Sequence, residues 1–543
     1  MVGSMQPANS STDSVNPPIS SAVHDWWDIR QIPISVLICL FLLIPLIFGL
    51  PLIRDSFPIL FPVVGSRAFI CLGELLFSVV VLVGLADHRK INRFSFLLFL
   101  TWMIFTILST ISAEKIVPAI VRQAEWFSHI LFSFSLYILL SKIRYFNFFL
   151  FALVISGFLL FLSSLCLIWF NMPNPLLVNW VVSVPGFRNI RHFGYYNVVA
   201  IIFAAGLLLS YRSLLKIFGI IVMIIGWIFI FWSGSRSAFV SLIVSACVVK
   251  IFLYKKSYSF FKWFIIALFL GLILQQAIFP DLNGSLGVKR WIDKFDGGII
   301  NTDINNISSG RMRIWKTTFI HIFEKPLLGF GPDGFIYLQP NPAPELVHPH
   351  NLLLQLAIEW GVIGLVLFII IGIYLIVISL KKINKESSDN MNFARITGLW
   401  LLLDYVVFGL IDGTFYHPFS LLFLAIASAM AVQGIAVSDD FPFVSILTYN
   451  IIPICIVLLG IVILHFSVLS FQRDKLDPDS WQLKIIKIFP SSLLGFELTL
   501  ERWLDEGRME DVIGWSRWAQ NYARFPERFA QIEKKALAKQ KLL

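Results

Sequence analysis

Charged side chains are scarce in this sequence. They make up 14% of its 543 residues, against 57% hydrophobic residues, whereas soluble domains usually carry about 25% charged residues. This composition excludes an ordinary soluble protein, because a water-soluble fold could not hide so much apolar surface. Apolar runs of about 17 to 25 residues recur along the chain, the length that crosses a bilayer. In lipid such a segment must satisfy its own backbone hydrogen bonds, so we expect helices.

Cysteine is sparse as well, and its placement excludes two kinds of site. None of the five cysteines belongs to a CxxC motif, and all lie within apolar runs: Cys39, Cys71, Cys166, Cys247 and Cys455. We expect neither a disulfide framework nor a metal cluster from them. The net charge of +10 does not indicate a nucleic-acid partner, because Lys and Arg concentrate in short loops between apolar runs rather than along a basic stripe.

The apolar pattern predicts an all-α polytopic membrane protein with about 12 to 13 transmembrane helices. We expect a disordered cytoplasmic tail at 1–31 that lacks a signal-peptide core, transmembrane helices at 32–279 and 351–471, a large outer loop at 280–350 and a helical tail at 472–543. The predicted spans are 32–52, 68–86, 94–112, 125–141, 147–170, 195–210, 214–231, 236–254, 259–279, 354–380, 393–411, 418–436 and 447–470.

Basic residues predict the orientation of these spans. With a cytoplasmic N-terminus, the loops rich in Lys and Arg all fall on the inside: 87–93, 141–145, 211–216, 250–256 and 381–385. This agrees with the positive-inside rule. The loop at 280–350 and the tail at 472–543 then lie on the outer face, where breaks at Gly507 and Pro526 predict short packed helices in the tail.

Arginines at the predicted outer face are the first candidates for chemistry. Arg236, in SGSRSA, begins a membrane helix, where the helix N-terminus adds positive potential and favours phosphate; a snorkelling interfacial arginine is the alternative. Arg188, Arg191 and His192, in RNIRHFGYYN, could form an anion pocket or anchor the protein at the membrane interface. Of the two arginines, Arg191 is nearer the membrane and is the better candidate.

A third arginine motif, SSGRMRIWKTTF, lies in the large outer loop. Ser308 or Ser309 is a suitable N-cap for a helix over 310–324, with Arg311 in its first turn. Arg311 and Arg313 are two residues apart and point to different faces of a helix, so at most one of them should face a given site. The alternative is an exposed amphipathic helix whose charges are solvated.

Histidines supply the candidate base. His350 and Asn351, in HPHN, lie where a helix enters the bilayer, and a neutral imidazole can accept a proton near neutral pH. In DGTFYHP, Asp412 could orient a basic group or cap a turn, and His417 lies beside it. We expect no metal, because no spacing among these side chains requires one.

Taken in order, SGSRSA, SSGRMRIWKTTF with EKPLLGFGPDGF, and HPHNLLLQLAIEWGVIG resemble the O-antigen ligase and polymerase superfamily of bacterial envelope glycosyltransferases, over about residues 190–435. The resemblance implies transfer of a glycan from undecaprenyl diphosphate to an acceptor at the periplasmic face of the inner membrane, without cofactor, nucleotide sugar or essential metal. By position, Arg236 and Arg311 would hold the diphosphate. His350 would activate the acceptor hydroxyl.

The acceptor divides this superfamily, and the sequence leaves it open. Ligases use the lipid A core, polymerases use another lipid-linked glycan, and O-oligosaccharyltransferases use a protein Ser or Thr; we favour a ligase or polymerase. A transporter of lipid-linked glycan that performs no chemistry is the alternative from another class. Transporters often show related halves and polar groups near mid-membrane, whereas this sequence has no convincing internal repeat and its polar candidates cluster at one face.

Overall fold

The computed structural model describes residues 34–56, 65–84, 93–143, 145–171, 189–209, 213–279, 287–292, 310–338, 348–385, 392–434, 496–521 and 526–541, with isolated residues 175, 180, 184 and 187. Within these residues the regular secondary structure is helical. The α-helices are α1 Ile34–Ser56, α2 Gly65–Gly84, α3 Arg93–Ile111, α4 Ile116–Lys142, α5 Phe146–Asn171, α6 Ile190–Leu207, α7 Ser213–Ser233, α8 Arg236–Phe252, α9 Tyr254–Ile278, α10 Lys289–Ile292, α11 Arg311–Ile322, α12 Leu352–Lys385, α13 Asn392–Ile411, α14 Pro418–Val432, α15 Phe496–Asp505, α16 Met509–Gln520 and α17 Pro526–Gln540. Short 3-10 turns lie at Gly334–Leu338 and Thr414–Tyr416.

The predicted spans correspond one-to-one to α1–α9 and α12–α14, except that the span at 447–470 lies outside the described residues. Among the described residues, 7 helices are long and apolar enough to cross a membrane, and shorter apolar helices accompany them. The chain is therefore an all-α, multi-pass membrane protein, as its composition predicted.

The starts of α4 and α6 near the site differ from the prediction. α4 begins at Ile116 rather than at 125, and α6 begins at Ile190 rather than at 195. In both cases the added first turns carry polar residues, and in α4 the fold pairs and buries them, as with Arg122 and Glu125. At α6 the side chain of Asn189 caps the helix by accepting a hydrogen bond from the backbone N–H of Arg191 at 2.9 Å.

The predicted serine cap of α11 is also corrected. The N-cap position is Gly310, whose φ of 81° lies in the left-handed region, rather than Ser308 or Ser309. Glycine adopts this backbone conformation without the steric cost that a side chain would add. The chain therefore turns sharply into α11, and Arg311 becomes the first residue of that helix.

Close packing brings the first turns of α6 and α8 together. α6 is buried along nearly its whole length and packs against α5, α7, α8 and α13. Near its start, a Cβ built on Gly194 would lie 2.8 Å from Ser235 Oγ, closer than Cβ atoms normally approach, so glycine favours this contact. Because Ser235 is the N-cap of α8, the N-termini of α6 and α8 are neighbours.

A break in α12 accepts the glycine-rich loop that follows α11. Gly361 has φ 71° and ψ 177°, which interrupts the helical hydrogen bonds. The loop supplies replacements: Phe330 N donates to Ile358 O at 2.8 Å, and Val362 N donates to Pro326 O at 2.7 Å. The motifs GFGPDG and EWGVIG therefore dock against each other and fix the N-terminal part of α12, just after His350.

The C-terminal helices α15–α17 form a small unit with its own core, which includes Trp503, Val512 and Phe529. Gly507, with φ 83°, separates α15 from α16, and Pro526 begins α17. The described part of 472–543 therefore consists of short packed helices. Lys115 Nζ donates to Asn521 O at 3.1 Å, so this unit contacts the turn between α3 and α4.

Candidate active site

Asp412 lies at the centre of the candidate site. It directly follows α13, and its side chain is 1% exposed. Its carboxylate accepts hydrogen bonds from His350 Nδ1 at 3.0 Å and Gly413 N at 2.8 Å on Oδ1, and from Arg311 Nη2 at 3.1 Å and Ser237 Oγ at 3.2 Å on Oδ2. Asp412 therefore joins residues from α8, α11 and the segment just before α12. Its predicted role in orienting a basic group stays a prediction.

The charge of Asp412 determines the tautomer of His350. Burial alone raises the pKa of the Asp412 carboxyl, but the hydrogen bond from His350 and the positive charge of Arg311 outweigh this effect and hold that pKa well below its usual range. An ionised carboxylate can only accept hydrogen bonds. Neutral His350 therefore carries its proton on Nδ1, and its Nε2 is left as the proton acceptor.

The backbone around His350 holds its ring in place. His350 adopts a left-handed conformation with φ 53°, which costs a residue with a side chain about 1 to 2 kcal/mol and persists only where neighbours enforce it. Trp315 Nε1 donates to the carbonyl of Pro349 at 2.9 Å, and the N–H of His350 donates to His348 Nδ1 at 3.2 Å. His350 remains 16% exposed, so a substrate can reach it.

Asn351 has a positioning role in the structure. Its Oδ1 accepts a hydrogen bond from Leu354 N at 3.1 Å and so caps α12. Its Nδ2 donates to Leu410 O at 2.9 Å, which ties the start of α12 to the end of α13. Asn351 thus sets the distance between His350 and Asp412; its predicted contact with substrate stays a prediction.

Three arginines of the described residues surround this pair, each in the first turn of a helix. Arg311 and Arg236 are the first residues of α11 and α8, and Arg191 is the second residue of α6. Arg236 lies close enough to Arg311 and Arg191 to experience their charges. Three positively polarised helix N-termini and three guanidinium groups therefore converge, an arrangement that favours a polyanion such as a diphosphate.

Two of these arginines act on the carboxylate of Asp412. It experiences the charges of both Arg311 and Arg191, and Arg311 Nη2 forms an ion pair with Asp412 Oδ2 at 3.1 Å.

A row of histidine rings extends from His350 to α6. Ring centroids are separated by 4.2 Å between His350 and His348, 5.6 Å between His348 and His417, and 3.8 Å between His417 and His192. Burial, and then the nearby His192 and His348, hold the pKa of His417 well below its usual range. His417 is therefore neutral at physiological pH, and the structure brings both His192 and His417 to the edge of the site.

The remaining predicted residues are placed differently. Arg313 is exposed on α11 while Arg311 binds Asp412, which confirms that only one of the two faces the site. Arg188 lies outside the described residues. Ser237 was not predicted, although it directly follows Arg236 in the SGSRSA motif, and a hydroxyl at the start of a helix beside a candidate arginine is a signal that could have identified it.

Sequence reasoning also missed a buried polar cluster between α2 and α4. Cys71, Glu74 and His129 have ligand atoms close enough to hold a metal ion. In the structure His129 Nδ1 and Glu74 Oε1 lie 2.7 Å apart, and Ser128 Oγ donates to Glu74 Oε2 at 3.0 Å, so both carboxylate oxygens of Glu74 have partners within the protein.

Comparisons with known proteins agree with these motifs. Residues 220–369 match the family described as O-antigen ligase, and this segment contains Arg236, Arg311 and His350. A relative from Rickettsia bellii (strain RML369-C) is 29% identical over 153 residues, which are 26% of this chain and 34% of the relative. A relative from Rickettsia felis (strain ATCC VR-1525 / URRWXCal2) is 29% identical over 164 residues, or 28% of this chain and 36% of the relative.

Both relatives carry the name "Putative polysaccharide ligase". A third relative described as a putative polysaccharide ligase comes from Rickettsia conorii (strain ATCC VR-613 / Malish 7). It is 32% identical over 113 residues, which are 19% of this chain and 26% of the relative. The chain spans about a third of the length of the first two relatives. The family match covers a shorter stretch than the predicted 190–435 and leaves out Arg191 and Asp412. A segment of this multi-pass membrane protein, residues 220–369, is therefore similar to the O-antigen ligase family.

Proposed function

We propose that this protein is a polysaccharide ligase-type glycosyltransferase that moves a glycan from undecaprenyl diphosphate to an acceptor hydroxyl at the periplasmic face of the bacterial inner membrane. The acceptor is the lipid A core in a ligase or a second lipid-linked glycan in a polymerase. One observation carries the proposal: three helix N-termini bearing Arg191, Arg236 and Arg311 surround a pair of Asp412 and His350. An anion site and a base occur together, as glycosyl transfer from a diphosphate requires.

In this proposal the arginines stabilise the leaving group. The bond from the anomeric carbon to the diphosphate oxygen breaks, and its electron pair stays with the diphosphate. Arg236 and Arg311 can each offer two N–H groups to phosphate oxygens, and the helix N-termini add fixed positive potential. Charge that grows on the diphosphate in the transition state is therefore stabilised by groups that are already in place.

His350 serves as the general base. The acceptor oxygen bonds to the anomeric carbon while its proton passes to His350 Nε2. The resulting imidazolium is stabilised by Asp412, whose Oδ1 lies 3.0 Å from Nδ1. This division of labour between an imidazole and a buried carboxylate also operates in hydrolase triads.

Deletion of the gene followed by gel analysis of lipopolysaccharide, exopolysaccharide and glycoproteins tests the function and the acceptor together. A ligase leaves lipid A core without its high-mass ladder, a polymerase leaves single repeat units, and a protein transferase shifts glycoproteins only. Plasmid-borne wild-type protein should restore the missing band, and Arg311→Ala should not. If all three fractions are unchanged in the deletion strain, the protein is not a transferase of this kind.

A further inference from the structure

A largely buried ion cluster connects α2 and α4 at the end of the bundle that carries the candidate site. Arg67 of α2 and Arg122 of α4 share the same oxygen of Glu125: Arg67 Nη1 lies 3.2 Å and Arg122 Nη1 lies 2.6 Å from Glu125 Oε2. The side chains of Arg122 and Glu125 are 0% and 2% exposed. Charged groups inside a membrane protein are costly and usually serve a function.

The second nitrogen of each guanidinium group binds the turn between α13 and α14. Arg122 Nη2 donates to Phe415 O at 2.9 Å, and Arg67 Nη2 donates to Tyr416 O at 3.2 Å. The two guanidinium carbons also lie 5.0 Å and 4.9 Å from the centre of the Tyr416 ring. Glu125 therefore holds both arginines, and both arginines hold two successive carbonyls of the 3-10 turn Thr414–Tyr416.

This turn lies between Asp412 and His417 in the chain. Tyr416 also touches the catalytic side of the site, because its ring centroid lies 4.8 Å from that of His348, and His348 Nδ1 accepts the backbone N–H of His350. The ring of His348 covers Gly413 so closely that a side chain there would overlap it. Movement of the turn would therefore displace both Asp412 and His350.

We propose that Arg67, Glu125 and Arg122 are positioning residues that hold Asp412 and His350 in register for proton transfer. The proposal rests on the function given above. Stability is a weak explanation for the cluster, because a buried ion pair gains little over apolar packing. Its geometry fits positioning, since each guanidinium uses one nitrogen for the carboxylate and the other for a carbonyl of the turn, a fork that lysine cannot reproduce.

Glu125→Gln removes the charge that holds the two arginines while it keeps the size of the side chain. Arg67 and Arg122 would then repel each other, and the carbonyls of Phe415 and Tyr416 would lose their fixed donors. A displacement of about 1 Å at the reacting groups can cost about 100-fold in rate. Donor binding should persist, because the three arginines of the anion site lie on α6, α8 and α11.

The test is a double-mutant cycle with full-length protein in detergent, with donor extracted from a deletion strain that accumulates lipid-linked glycan. We expect Glu125→Gln to lower kcat by about 100-fold and to leave the donor KM within about twofold. In a His350→Ala background, where the base is already absent, the same change should cost less than about threefold more. Arg122→Lys, which keeps the positive charge, should show the same pattern and serves as the test if Glu125→Gln does not fold.

Asp404→Asn is the control. It removes the charge of another buried acid, one that lies in α13 and accepts a hydrogen bond from Ser245 Oγ at 2.9 Å rather than from Arg67 or Arg122. We expect its kcat to stay within about threefold of wild type. Activity of Glu125→Gln near wild type, a loss carried by donor KM, or an equal loss in the His350→Ala background would overturn the positioning role. Failure of the proposed function looks different: wild type forms no product, or His350→Ala is as active as wild type.

Discussion

Asp412→Asn removes the negative charge from the centre of the site and keeps the size of the side chain. The carboxylate accepts hydrogen bonds on both oxygens, whereas an amide offers one accepting oxygen and a donating NH₂ group. If the amide oxygen faces His350 and Gly413, the NH₂ group points at the donors of Arg311. If the amide is reversed, His350 must carry its proton on Nε2 and can no longer accept one there.

The expected loss follows from these two arrangements. In the first, the imidazolium formed during transfer loses a charged partner and Arg311 loses its anchor, and hydrogen bonds to charged groups exceed neutral ones by about 1 to 2 kcal/mol each. Two such losses amount to about 100-fold in rate. In the second, the wrong histidine tautomer costs about 10⁴-fold in hydrolase triads. We therefore expect Asp412→Asn to lower kcat by about 10² to 10⁴.

The assay measures kcat and donor KM with purified protein and extracted lipid-linked glycan. Asp404→Asn is the matched control, because Asp404 lies two turns deeper in α13, where Ser245 Oγ donates to it at 2.9 Å; it should retain most activity. A kcat for Asp412→Asn within about threefold of wild type would refute the assigned role of the carboxylate. So would an equal loss in Asp404→Asn, since the effect would then not be specific to the site.

Three further predictions follow from charge, burial and topology. Arg311→Ala should abolish transfer and Arg311→Lys should restore it only in part, because an ammonium group lacks the planar fork of a guanidinium. Arg313→Ala, at an exposed position of the same helix, should remain active. Equal losses of activity in Arg311→Ala and Arg313→Ala would contradict the site. The pKa of His417 is lowered in the folded state, so below about pH 6.5 the unfolded chain binds more protons, and the free energy of unfolding decreases as the pH decreases, by at most about 1.4 kcal/mol per pH unit. His417→Gln should therefore lose less thermal stability than wild type on going from about pH 7 to about pH 5. An equal loss would show that His417 does not titrate this way. Cysteines introduced at the exposed positions 316 and 381 should be labelled from the periplasm and the cytoplasm respectively, and labelling of both from one side would contradict the orientation.

The transmembrane helices were predictable because apolar runs of spanning length leave few alternatives. The polar starts of α4 and α6 were not predictable, because hydropathy averaged over a window of residues hides charged residues that the fold pairs internally. In α4, Arg122, Glu125 and His129 are spaced i, i+3 and i+7, which places them on one face of a helix. That spacing was present in the sequence and indicates a buried polar face rather than a loop.

The candidate site was predictable as a set of residues but not as a geometry. Arg236, Arg311, His350 and Asp412 all belong to recognisable motifs. Asp412, however, meets its partners His350, Arg311 and Ser237 across 62, 101 and 175 residues of sequence. No local pattern specifies contacts across such separations, so its position as the shared acceptor became evident only from the packing of α8, α11, α12 and α13.

The central claim is that His350 deprotonates the acceptor while separate arginines hold the donor. It is tested most directly by incubating purified wild-type and His350→Ala protein in detergent, without any gradient, with extracted lipid-linked glycan and acceptor. Wild type should release undecaprenyl diphosphate and form product, whereas His350→Ala should do so about 10² to 10⁴ times more slowly while it still binds donor. Turnover by His350→Ala at the wild-type rate would contradict the claim.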